Sequence, residues 1–138
     1  MPLFEQVLDK YPGSVKIVFK HYPLSFHKQA LPAALASMAA GEQGKFWEYH
    51  DELFLNQNSL SNEKFMEIAK NMGLDTNKFS LDMMRPSLRK KIEQDVNDAQ
   101  KADVTGTPTI FVNGRKLKNR DFNAISKLID AERAKLKQ

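Results

Sequence analysis

Residues 104–115 have the sequence VTGTPTIFVNGR, and this stretch decides the fold. Thr109 to Val112 is a short run of β-branched and aromatic residues, which predicts a strand. Asn113-Gly114 follows directly, and this dipeptide is typical of a two-residue hairpin turn. We therefore predict a hairpin whose returning strand covers Arg115 to Leu117, with a loop containing Pro108 before it.

A further strand is predicted near the start of the sequence. Val15 to Lys20 (VKIVFK) is short, rich in β-branched residues and apolar on both faces at its centre, which is typical of a strand covered on both sides. Before it, apolar residues recur at helical spacing from Leu3 to Tyr11, and Pro12-Gly13 ends that helix.

The sequence between these two regions is predicted to be mainly helical. We expect a helix over Ser25 to Ala40, with Ser25 as its N-cap and Pro32 as a kink or as the true start. Further helices are expected over Phe46 to Asn56, over Asn62 to Met72 (capped by Ser61 and ended by Gly73), and from Thr76 or Asn77 to Met83, followed by a longer one capped by Ser87. A closing helix should begin at about Asp121. Strands separated by helices indicate an α/β fold with some parallel pairing.

Several long segments also match one protein family in order and spacing. They are MPLFEQVLDKYPG (1–13), VKIVFKHYPLSFHKQALPAALASMAA (15–40), GKFWEYHDELF (44–54) and VTGTPTIFVNGR (104–115). The sequence resembles the DsbA-like thiol:disulfide oxidoreductases of the thioredoxin superfamily over essentially its whole length. The resemblance implies one domain, in which residues 1–24 and 104–138 form the thioredoxin-like fold and residues 25–103 form an inserted helical domain.

The sequence departs from this family in its redox chemistry. The family has a strand and a Cys-x-x-Cys motif just before the helix that starts here at Met1, and the 138 residues contain no cysteine. Thiol–disulfide exchange requires a thiolate, which neither hydroxyls nor a thioether can replace. We therefore expect a truncated, incomplete thioredoxin-like fold that lacks the central strand and the Cys-x-x-Cys turn and is redox-inert.

Loss of the central strand should also affect association. The strands predicted at Val15 to Lys20 and Thr109 to Val112 would each expose an apolar edge, and such edges are templates for pairing with another chain. We expect the chain either to rearrange or to borrow a strand from a partner, with a homodimer as the natural product.

The predicted substrate-binding residues are Thr105, Gly106, Thr107 and Pro108. The resemblance implies that Pro108 is the family's cis-proline and that Thr107, before it, presents its main chain to a bound peptide as an added strand. The alternative is a plain loop with a trans bond, which is the usual state of an X-Pro bond. No residue is predicted to be catalytic.

The three histidines, His21, His27 and His50, match no metal-binding signature, so no metal site is predicted. His50 lies on an apolar helix face, where we expect it to pack with a hydrogen bond.

Two larger sets of residues each allow a second interpretation. A methionine-rich and aromatic set could line a peptide groove but is expected to be core: Trp47, Phe65, Met66, Met72, Phe79, Met83, Met84. A basic set could suggest nucleic acid but is expected to be a solvated face, because acidic residues alternate with it: Arg115, Lys116, Lys118, Arg120, Lys127, Arg133, Lys135, Lys137.

Composition limits the function classes further. Apolar residues make up 41% and charged residues 28% of the sequence, with a net charge of +4, as in an ordinary globular domain. The sequence has no apolar run of about 18 residues that would span a membrane. MPLFEQVLDK does not have the pattern of a secretory signal, although the family is mostly exported, so the compartment stays open.

Three functions remain open. The first is the body of a DsbA-type oxidoreductase that acts on protein or peptide substrates, without cofactor and without nucleic acid. The second is a non-catalytic peptide-binding module, and the third is a fragment that is stabilised by self-association.

Overall fold

The computed structural model describes residues 2–137. They form seven helices and two strands, numbered here in chain order. The elements are α1 (Pro2–Lys10), α2 (Ala30–Gly41), α3 (Phe46–Leu55), α4 (Asn62–Asn71), α5 (Thr76–Met83), α6 (Pro86–Lys101), β1 (Phe111–Val112), β2 (Arg115–Lys116) and α7 (Phe122–Leu136).

These elements belong to two compact units. The first unit takes in the residues up to Phe19 and from Val104 onward, and it contains α1, the β1–β2 hairpin and α7. The second unit is Lys20–Asp103 and contains α2 to α6. None of the helices within residues 2–137 is long and apolar enough to cross a lipid bilayer.

The core of the helical unit is built around small residues of α2. Its buried apolar members are Ala36, Ala39, Ala40, Tyr49, Phe65, Ile68, Ala69 and Phe79. The alanines of α2 let neighbouring helices approach closely, and the Tyr49 hydroxyl donates to the Phe65 carbonyl at 2.9 Å, so this buried polar group has a partner. Burial raises the pKa of Tyr49 well above its usual value.

The core of the other unit joins α1, α7 and the hairpin. Its buried members are Val7, Tyr11, Leu117, Ile125 and Ile129. The hairpin turn occurs as predicted: Asn113 and Gly114 have φ of 47° and 81°, and Phe111 pairs with Lys116 and Val112 with Arg115. Both turn residues therefore occupy the left-handed region that a type I′ turn requires.

The strand predicted at Val15 to Lys20 is absent. Residues 15–24 have no regular secondary structure, and the side chain of Val18 is 65% exposed. A strand requires a hydrogen-bonding neighbour, and within residues 2–137 the only strand pair is β1 with β2. The expected parallel pairing is therefore also absent there, and β1 and β2 are each one or two residues shorter than predicted.

Most predicted helices are confirmed, but two predicted caps are wrong. Ser61 caps α4 by accepting the Lys64 N–H at 3.1 Å, and Asp121 caps α7 in the same way. Ser25, however, lies five residues before α2 begins at Ala30. Ser87 lies inside α6, which starts one residue earlier at Pro86, because the fixed φ of proline favours the first helical position.

Candidate functional site

The predicted substrate-binding residues form a surface loop between α6 and β1. Thr105, Thr107 and Pro108 are exposed and Gly106 is half-buried. The peptide bond between Thr107 and Pro108 is cis. The four residues are therefore adjacent on one accessible segment of the first unit.

Two side chains hold this loop in shape from within the same unit. The Thr109 hydroxyl donates to the Gly106 carbonyl at 2.7 Å, which closes the turn. The Arg120 guanidinium donates to the Pro108 carbonyl at 3.1 Å from the segment between β2 and α7. A hydrogen bond from a charged group is stronger than a neutral one, so Arg120 fixes the loop more firmly than the turn alone would.

The main chain of Thr107 is accessible for pairing. No hydrogen bond from any residue between 2 and 137 engages its N–H or carbonyl. Downstream, the Leu117 N–H donates to the Ile110 carbonyl at 2.9 Å, which extends the β1–β2 pairing towards the loop. An extended peptide could therefore bind the Thr107 main chain beside a rigid hairpin.

The role of Arg120 was missed in the sequence. It belongs to the basic set that was expected to be a solvated face, and its bond to Pro108 spans twelve residues of sequence. In the sequence, only the position of Arg120 just after the hairpin pointed to a role, and that position does not indicate which group Arg120 would contact. Elsewhere in the basic set, Arg115 and Lys135 lie 4.0 Å and 2.6 Å from a Glu132 carboxylate oxygen.

The histidines lie elsewhere, in the helical unit. His21 and His50 are buried and His27 is exposed. The Nδ1 atom of His50 lies 3.1 Å from the Asp51 carboxylate. Within residues 2–137, no three His, Cys, Asp or Glu side chains come together as a group that could hold a metal ion.

The methionine and aromatic set is mostly core, as expected. Phe65 and Phe79 are fully buried in the core of the helical unit, and Met66, Met72 and Met83 pack against that core. The expectation is wrong for Met84, which is 80% exposed at the end of α5, and for Trp47, which is 41% exposed. Helical spacing alone did not distinguish the inner from the outer side of these helices.

Two solved structures with a similar fold are named as oxidoreductases. This chain superposes on a thioredoxin-like oxidoreductase from Silicibacter pomeroyi DSS-3 with a TM-score of 0.83 and 27% identity, covering 97% of this chain and 77% of that one. It also resembles the oxidoreductase DsbA from Xylella fastidiosa in fold, with a TM-score of 0.70, 24% identity and 95% and 78% coverage.

Curated relatives are larger proteins. The Na(+)/H(+) antiporter NhaA 3 of Salinispora tropica is 40% identical over 116 residues, which are 83% of this chain and 18% of the antiporter. The Na(+)/H(+) antiporter NhaA of Herminiimonas arsenicoxydans is 33% identical over 124 residues, or 89% and 20% of the two chains. The chain thus spans about a fifth of the length of these relatives.

A family model described as Thioredoxin matches residues 2–131. The superposition on the thioredoxin-like oxidoreductase covers nearly the whole chain, and the sequence contains no cysteine. The chain belongs to this thioredoxin family and has a thioredoxin-like, DsbA-like fold without cysteine.

Proposed function

We propose that this chain is the polypeptide-binding body of a DsbA-type thiol–disulfide oxidoreductase and that it exchanges no disulfides by itself. The observation that carries the proposal is the loop at Thr105 to Pro108. Thr107 is exposed, and its main-chain groups are not engaged by any described residue, while Arg120 and Thr109 hold the loop around it. This arrangement suits main-chain recognition of an extended substrate.

The chemistry near the loop supports binding without exchange. Thr105 and Thr107 offer hydroxyls, which do not form disulfides, and the sequence has no thiol. A substrate held here would therefore be oxidised or reduced only by cysteines that come from outside these 138 residues.

The binding can be tested by NMR titration with the carboxymethylated B chain of insulin, which is an unfolded polypeptide without free thiols. We expect the largest amide shifts at Thr105, Gly106 and Thr107. Arg120→Ala should raise the Kd about fivefold, because losing one net hydrogen bond of about 1 kcal/mol loosens the loop. Lys118→Ala is the matched control and should leave the Kd unchanged. Shifts confined to other residues would contradict the proposal.

We also propose that the chain self-associates through Val15 to Phe19. Val18 is 65% exposed, and the segment is apolar apart from Lys16, which suits pairing with a second copy. Sedimentation equilibrium should show a dimer that Val18→Lys weakens. Leu8→Lys, at a 43% exposed apolar site of α1, should leave the dimer intact. A monomer at every concentration would refute self-association.

The curated relatives favour a second candidate function, that of a module carried by a larger membrane protein. Both relatives compared above have antiporter names, and the chain matches about a fifth of each. An immunoblot of the source cells with an antibody against this chain distinguishes the cases. A band well above 15.8 kDa is expected, and a band only at that mass would contradict this candidate.

A further inference from the structure

The outer face of α3 is unusually apolar. At 3.6 residues per turn, five exposed residues of α3 fall within an arc of about 120°. We call this surface the α3 face, and it consists of Trp47, Glu48, Asp51, Phe54 and Leu55. Its three apolar side chains are 41%, 54% and 79% exposed, for Trp47, Phe54 and Leu55 respectively.

This exposure is not needed to pack α3 into its own unit. The opposite side of the helix supplies the core contacts, through buried Tyr49 and half-buried Leu53. A surface helix normally has a polar outer face, and contiguous exposed apolar side chains mark interaction sites. The α3 face therefore has more apolar surface than the packing of α3 into the core of its own unit requires.

The two aromatic rings of the α3 face pack against Phe46 and buried His50 beside it. The Trp47 and His50 ring centroids are 5.3 Å apart, and those of His50 and Phe54 are 4.9 Å apart. Phe46 packs edge-on against Trp47 at 5.2 Å. Rings fixed in this way lose little conformational entropy when a partner binds.

The charge of α3 identifies the chemistry of the partner. The helix contains three carboxylates, at Glu48, Asp51 and Glu52, and no Lys or Arg, although the whole chain has a net charge of +4. The Asp51 side chain is 57% exposed beside the aromatic rings. Lysine or arginine would pair with these carboxylates and also stack on the exposed rings.

We infer that the α3 face binds an amphipathic helix of another protein, whose apolar face carries aliphatic side chains and is flanked by lysine or arginine. Trp47, Phe54 and Leu55 recur at i, i+7 and i+8, and the carboxylates lie between them. Apolar residues at this spacing line up along one face of α3, where an opposing helix can pack against them. The inference does not rest on the proposed redox family role or on the Thr105 to Pro108 loop. Charge complementarity selects this occupant over an acidic peptide.

The chain offers an internal probe for the test. Trp47 is its only tryptophan and lies on the α3 face, so its emission reports binding at this surface. Two synthetic amphipathic peptides of equal length and apolar content, one Leu/Lys and one Leu/Glu, are titrated against the full chain. The Leu/Lys peptide should shift Trp47 emission, and the Leu/Glu peptide should bind about tenfold more weakly or not at all.

Variants then separate charge recognition from general apolar binding. Glu48→Lys/Asp51→Lys should reverse the preference between the two peptides, and Phe54→Ala should weaken Leu/Lys binding about fivefold. Glu63→Lys/Glu67→Lys places the same charge change on α4 and should leave the preference as it is. Far-ultraviolet circular dichroism checks that each variant keeps its helices.

Three results would overturn the inference. They are equal binding of both peptides, an unchanged preference in the α3 charge variant, and an emission shift that depends on protein concentration without peptide and persists in the Val18→Lys variant. The last would show that a second copy of the chain covers the α3 face instead.

Discussion

Asp95 offers a sharp test of how the helical unit holds its first residues. Its side chain is only 2% exposed on α6. The carboxylate accepts the His21 main-chain N–H at 3.0 Å and the Lys91 ammonium at 3.0 Å, and the Lys20 ammonium lies 3.8 Å away. Asp95 therefore attaches the start of this unit, at Lys20 and His21, to its longest helix.

The cost of Asp95→Ala follows from these partners. The His21 N–H would lose its acceptor in the protein interior, which costs about 1–3 kcal/mol. The Lys91 and Lys20 side chains are 50% and 54% exposed, so both ammonium groups would be resolvated by water. Their ion pairs add at most about 1 kcal/mol. We expect Asp95→Ala to lower the free energy of unfolding by about 2–3 kcal/mol, and Asp95→Asn, which keeps an acceptor oxygen, by about 1 kcal/mol.

The assay is urea unfolding at neutral pH followed by the fluorescence of Trp47, which lies in the same unit. Asp98→Ala is the control, because Asp98 is 48% exposed and its carboxylate lies 3.6 Å from the same Lys20 ammonium. Its effect should be about 0.5 kcal/mol or less. If Asp95→Ala costs no more than Asp98→Ala, the buried carboxylate is not the acceptor that anchors His21.

Three further predictions concern single side chains. Tyr11→Phe should lower the free energy of unfolding by about 1–2 kcal/mol, because the buried Tyr11 hydroxyl donates to an Asp130 carboxylate oxygen at 2.8 Å; thermal unfolding measures this. Burial lowers the pKa of His21 below 6.5, and this effect outweighs the nearby Asp95 carboxylate, which raises the pKa. As the pH falls, His21 is therefore protonated in the unfolded chain before it is protonated in the folded chain. Stability should therefore be full above pH 6.5 and fall as the pH drops below that value, and urea midpoints against pH should flatten in His21→Gln. Ser61→Ala should cost about 1 kcal/mol by removing the cap of α4, and an unchanged urea midpoint would contradict that role.

Features governed by neighbouring residues could be predicted from the sequence. Asn113-Gly114 specifies its turn because both residues tolerate a positive φ, and Ser61 specifies the start of α4 because its hydroxyl reaches an amide three residues on. Gly73, with φ of 77°, ends α4 for the same kind of local reason.

Features that depend on distant partners could not be predicted in this way. Val15 to Lys20 has the composition of a strand, but the described residues give it no strand to pair with. The bond from Arg120 to Pro108 exists only once the hairpin has formed. The α3 face could not be predicted because the apolar residues of FWEYHDELFL are spread around most of the helix, so the sequence pattern does not show which ones face solvent.

This chain has a thioredoxin-like fold, and we propose that it has no thiol–disulfide exchange activity of its own. The most direct measurement is the reduction of insulin by dithiothreitol, followed by turbidity, with increasing amounts of the purified chain. The claim predicts the uncatalysed rate at every concentration, because the sequence contains no cysteine. A rate that rises in proportion to the chain would contradict it.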